Sequence, residues 1–151
     1  MARRRARQFA LQALYGIDQT GVDGDTVLAA LWASQIDGDG LGVKAAEHKE
    51  IAFAAKLVTG VAKRRAEIDS LIEKASVNWR LPRMPVVDRN ILRLAGYELL
   101  AMMDVPASVS INEAVELAKQ FGDKDSRAFV NGILDRIAAE TGRGGRRHNR
   151  R

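Results

Sequence analysis

The sequence has no cysteine, two histidines and three prolines. Without cysteine there is no disulfide framework and no thiolate metal site, which fits a reducing, cytoplasmic compartment. The histidines, His48 and His148, are far apart in the chain. Histidine-based acid–base chemistry and metal binding therefore have little support, and no cofactor or metal is expected. Long apolar runs are also missing. The Arg-rich start leads into an amphipathic stretch, so neither a signal peptide nor a membrane span is expected. Gly-rich chemistry is absent too. The loop Asp37–Gly42 fails as a calcium loop, because Leu41 and His48 stand where ligands belong. No Gly-Lys-Ser/Thr follows it to make a phosphate loop.

What is present is a core and an uneven charge. Hydrophobic residues make up 46% and charged residues 28% of 151 positions, enough for one domain or one domain of two small halves. The net charge is +5. Arg3, Arg4, Arg5 and Arg7 lie in the first seven residues, and five more arginines lie in the last nine. Between these ends, the remaining 15 basic residues face all 19 acidic ones, a net of −4. The basic character thus comes from two arms, a pattern that suits a polyanion partner. Solvated tails that aid solubility are the alternative.

The chain reads as seven helices. Ala2–Asp18 carries an apolar face of Ala6, Phe9, Ala10, Ala13, Leu14 and Ile17, so the arginines share a helix with core residues. Their place at a helix start opposes the macrodipole at some tenths of a kcal/mol each, which suggests another use for them. Asp25 is a good N-cap for a helix over Thr26–Ser34. Helices over Ala45–Val61 and Lys63–Ser76 follow. Leu81 and Met84 each precede a proline, which breaks the helix and sets a boundary between an N-terminal half, 1–80, and a C-terminal half, 85–142. Trp79 is expected to pack at that seam. A fifth helix starts at Pro85 and runs through Met102. Glu98 falls on its apolar face, so its carboxylate must find partners, with Ser110 to Asn112 as candidates. The tail 143–151 lacks apolar residues and is expected to be disordered when unbound.

The most informative stretch is Val109–Asp135. Ile111, Ala114, Val115 and Ala118 line one face of a helix over Ile111–Phe121, with Phe121 taken as core. Ser110 and Glu113 have the spacing of a capping box, and Gly122 can close the helix in the left-handed region. A last helix begins at Ser126 with Val130, Ile133, Leu134 and Ile137 inward. The turn between holds Asp123 and Asp125. Asp125 either caps the helix or accepts hydrogen bonds from a ligand. Phe129, at the margin of the apolar face, either packs or offers a ring edge.

Three motifs carry a resemblance. They are Arg3-Arg-Arg-Ala-Arg7 running into Ala10-Leu-Gln-Ala-Leu-Tyr15; Asn90-Ile-Leu-Arg-Leu-Ala-Gly-Tyr-Glu-Leu99; and Val105-Pro106, Ile111–Gly122, Asp125-Ser126 and Phe129–Asp135. Together they resemble the NusB family of bacterial transcription antitermination factors, over Arg3 to about Ala139. The resemblance implies an all-α fold of about seven helices in two packed three-helix-type bundles, forming a single domain over 1–142. It implies no catalysis. It implies binding of boxA-type single-stranded RNA from nascent ribosomal RNA, together with the ribosomal protein that acts as NusE. The pair joins an antitermination complex on RNA polymerase with other Nus factors, and both monomers and homodimers occur in the family. Arg3, Arg4, Arg5 and Arg7 match the family's RNA-binding start, and Asp125 and Phe129 match its RNA-binding turn. Tyr15 and Asp88 match positions tied to complex formation and are assigned to the protein-partner interface. Ser76 stands where some members carry an aromatic residue near the RNA. Two other readings compete: a helical interaction module with incidental basic ends, and the helical domain of an RNA-modifying enzyme. The second is disfavoured, since no Gly-rich cofactor loop follows a strand.

Overall fold

A computed structural model describes residues 2–30, 45–77 and 79–143. Among these residues the chain is all-α with no strand: α1 (Ala2–Thr20), α2 (helical over 24–30), α3 (Ala45–Lys63), α4 (Arg65–Ala75), a short 3-10 turn (Leu81–Arg83), α5 (Val86–Ala101), α6 (Ala107–Phe121) and α7 (Ser126–Glu140). The expected end of the second helix at Ser34, the loop Asp37–Gly42, the side chain of His48 and the tail beyond Arg143 lie outside the described residues. No described helix is long and apolar enough to cross a membrane.

The chain forms two compact units, Met1–Lys63 and Arg64–Arg151. In the first, α1 packs on α3. Ala6, Ala10, Ala13 and Leu14 meet the buried side of α3, where Ala54, Leu57, Val58 and Val61 lie. Small residues on α1 let two helix backbones approach, while Leu57 and Val58 fill the space. Gly21, at φ 75, closes α1, and its N–H donates to Ile17 O at 2.8 Å. The cap of α2 sits two residues earlier than Asp25. Asp23 Oδ1 accepts the Thr26 N–H at 3.0 Å, and its Oδ2 accepts the Thr26 hydroxyl at 2.9 Å.

The second unit is built around α5. From Asn90 to Leu99 every residue of this helix is buried, as expected for a helix surrounded by others. It contacts α4, α6 and α7. Three of its polar residues tie it to those neighbours. Arg93 grips Asp69 of α4, with Nε 2.9 Å from Oδ1. Glu98 Oε1 accepts the Ser110 hydroxyl of α6 at 2.7 Å. Asp88 Oδ1 accepts the Ser126 hydroxyl of α7 at 2.7 Å. Such buried polar ties fix which helix faces which, since a mispaired carboxylate would be left unsatisfied. Glu98 therefore finds a partner at Ser110, within the stretch that the sequence suggested, through the Ser110 side chain.

Several local expectations change. The prolines at 82 and 85 break the helix, but α4 packs with α5 and α7, so this stretch runs inside the second unit. α6 begins at Ala107, not Ile111. Pro106 supplies the carbonyl for the Val109 and Ser110 N–H groups at 3.0 and 3.2 Å. Ser110 is then inside the helix, with its hydroxyl committed to Glu98, and no capping box forms. Leu117 takes the buried place expected for Val115. Phe121 is 39% exposed, because the polar turn that follows offers no apolar cover. Arg143 belongs to the fold: its guanidinium donates to Leu99 O, in the last turn of α5, at 2.8 Å and to Val105 O in the connection that follows.

Candidate nucleic-acid interface

The four arginines of α1 do not form one surface. Arg3, Arg4 and Arg5 are exposed, whereas Arg7 is buried at 4% exposure. Helical spacing puts Arg3 and Arg7 one turn apart, and both guanidinium groups lie over the Phe53 ring of α3, at 4.5 and 5.5 Å from its centre. Cation–π attraction there is on the order of 0.5–2 kcal/mol. Arg5 pairs with Glu50, Nε to Oε2 at 3.6 Å. Arg3, Arg5 and Arg7 are thus fastened to the body of the unit.

On α3, Lys49, Phe53 and Lys56 follow i, i+4, i+7 spacing and share a face. With Arg3, Glu50 and Ala52 they line a concavity of about 430 Å³. Three cations and an aromatic ring around an open hollow suit a polyanion. Sequence reasoning missed this face, although the cation–aromatic–cation spacing was there to read. Tyr15, farther along α1, is 44% exposed.

The second unit holds the other residues of interest. Between α6 and α7 the chain turns on Ser126, whose hydroxyl accepts the Asp123 N–H at 3.0 Å and donates to Asp88. Asp123 Oδ1 accepts the Asp125 N–H at 2.9 Å. Gly122 is required here for space, not for conformation. At φ −91 and ψ −170 it is extended, not left-handed as expected. A Cβ on it would meet Ser126 Oγ at 2.4 Å and Ala118 O at 2.8 Å. Asp125 occupies the N-cap position of α7 with no side-chain cap bond and is exposed.

Asp88, assigned from resemblance to the partner interface, is 3% exposed and reaches the corner from beneath. Burial pushes its carboxyl above the ordinary value; the Ser126 hydrogen bond opposes this and the nearby Asp123 charge adds to it. Phe129 is half-buried and stands edge-on to Trp79, ring centres 6.4 Å apart at 79°. Trp79 was expected to pack at a seam between halves. It is 48% exposed, and its ring partner belongs to its own unit. No group of three or more metal-ligating side chains occurs among the described residues.

A helical scaffold with a fastened cationic face and a hydrogen-bonded polar corner defines a binding protein of the helical, polyanion-contacting class. Residues 4–139 match the model of the NusB family. The chain belongs to that family. It is 51% identical over 138 residues to the transcription antitermination protein NusB of Geotalea uraniireducens, covering 91% of this chain and 94% of that relative. With the protein of the same name from Myxococcus xanthus the identity is 47% over 137 residues, with 91% and 94% covered. Among solved structures, T. maritima NusB superposes with a TM-score of 0.78 at 38% identity, over 91% of each chain. A structure of the antitermination factors NusB and NusE in complex with dsRNA gives 0.76 at 28% identity, over 92% of this chain and 97% of that one.

Proposed function

We propose that this protein is an RNA-binding transcription antitermination factor that works without catalysis. In this reading it binds boxA-type single-stranded RNA of nascent ribosomal RNA, jointly with the ribosomal protein acting as NusE, within the antitermination complex on RNA polymerase. The observation that carries the reading is the cationic face of the first unit. Arg3 is held over Phe53 beside Lys49 and Lys56, in a chain whose relatives are named for antitermination. Cations on a fixed surface neutralise phosphates without the entropy cost of ordering a loose arm. Asp125 and Phe129 contribute the second contact region, where the turn presents an exposed carboxylate and a ring edge to bases. Tyr15 serves the protein partner. Asp88 serves the complex indirectly, by holding the corner through Ser126. The dsRNA in the neighbouring complex makes strandedness a point to measure.

The test is a binding titration of the full chain with a boxA RNA, a scrambled RNA of equal length and a duplex, each with and without the ribosomal partner. Selective binding of the single-stranded boxA RNA, tightened by the partner, is expected. Equal binding of boxA and scrambled RNA with no effect of the partner would refute the reading. It would leave a helical interaction module with incidental charge.

A further inference from the structure

Trp79 has no role in the function proposed above, and its setting is unusual for a large apolar side chain. Its indole is 48% exposed, and the perpendicular Phe129 ring covers one side of it at most. The chain on either side of it is anchored. Arg136 of α7 donates to Ala75 O, and the Leu81 N–H donates to Glu73 Oε2 at 3.0 Å. The indole is therefore carried between two fixed points, which lowers the entropy lost when a ligand lands on it.

On α7 beside it, a glycine leaves open space among the described residues. Phe129 and Arg136 are both held to the 75–79 stretch, and Gly132 lies on α7 between them. A glycine inside a helix costs about 0.5–1 kcal/mol relative to alanine. Yet a Cβ at Gly132 would meet no described atom within 4 Å, and its φ is not in the left-handed region. Nothing described in the fold demands a glycine there. The charge nearby is mostly positive: one carboxylate, Glu73, is engaged by the Leu81 N–H. From Lys74 to Arg83 the chain carries Lys74, Arg80 and Arg83 and no carboxylate, and all three cations are exposed.

From these observations we infer that Trp79 and Phe129 form a stacking site for one unstacked nucleobase of the bound RNA. The bare backbone at Gly132 leaves room beside the rings, and Arg80 and Arg83 take the flanking phosphates. An exposed aromatic face accepts any base, so the site contributes affinity and register more than sequence choice. The inference rests on the RNA-binding reading above.

Its test compares the full-length wild type with Trp79→Leu and Trp79→Phe in binding to a boxA-containing single-stranded RNA over a range of salt. Stacking on an aromatic residue accounts for about 5- to 150-fold in affinity per base. Trp79→Leu should lose affinity within that range at an unchanged salt slope, since a stacked base releases no counterions. Trp79→Phe should recover most of the loss. Wild-type affinity in Trp79→Leu, or an equal loss in the Leu and Phe variants, would overturn the site while RNA binding itself stands. A wild-type protein that binds no RNA would remove both readings together.

Discussion

Replacing Ser126 by alanine tests how the corner between α6 and α7 is held. The Ser126 hydroxyl lies 2.7 Å from Asp88 Oδ1, and Asp88 is 3% exposed. The substitution removes a hydrogen bond to a buried charge and strips the Asp123 N–H of its acceptor. A hydrogen bond to a charged group contributes about 1.5–3 kcal/mol. In a chain of this size each kcal/mol moves the melting temperature by about 2–4 °C. Ser126→Ala should therefore melt about 3–12 °C lower at neutral pH. In an Asp88→Asn background the lost bond is between neutral groups and costs only about 0.5–1.5 kcal/mol. The pH dependence has a definite sign. The folded-state pKa of Asp88 is raised, chiefly by burial, so its ionisation weakens the fold as pH rises through that value. Asp88→Asn should flatten this decline. The Ser126→Ala penalty should be largest where Asp88 is ionised and shrink in acid. Thermal unfolding followed by circular dichroism across the four proteins of the cycle reads all of this. An equal Ser126→Ala penalty in both backgrounds, unchanged by pH, would refute the coupling.

Arg7→Ala should lower the melting temperature, because the side chain is buried over Phe53, whereas Arg3→Ala, which loses only an exposed cation–π contact of about 0.5–1 kcal/mol, should lower it less and weaken RNA binding; thermal melts and a filter-binding assay separate the two. Asp125→Asn should tighten RNA binding at a cost in stability of about 0.3–1 kcal/mol or less, since the exposed carboxylate repels phosphate and, without a cap bond, holds the helix start only through its charge; the readout is the dissociation constant beside the melting curve. Gly132→Ala should stabilise the fold by about 0.5–1 kcal/mol, having no described atom to clash with, yet weaken RNA binding.

Periodicity made the helices legible, because each buries one stripe against a neighbour. It could not locate ends that depend on backbone carbonyls. Pro106 starts α6 four residues before the apparent capping box, and Asp23 caps α2 in place of Asp25. The arginines were visible as a cluster, but their division was not. Only the packing of α1 on α3 decides that Arg7 is buried while Arg3 lines a hollow. Asp88 and Ser126 are 38 positions apart, a pairing that no local pattern encodes. Trp79 departs from the packing role its size predicts, because large apolar side chains are usually covered and this one is half open.

If the exposed arginines of α1 contact RNA phosphates, they set the salt dependence of binding. The affinity for boxA RNA is measured against salt for the wild type and for a variant with Arg3, Arg4 and Arg5 all replaced by alanine. Arg7 is kept because it packs inside the unit. Each phosphate neutralised contributes about −0.7 to the slope of log K against log[salt] for single-stranded RNA, so the triple variant should flatten the slope by up to about 2. A slope identical to that of the wild type would contradict the placement of RNA on this face.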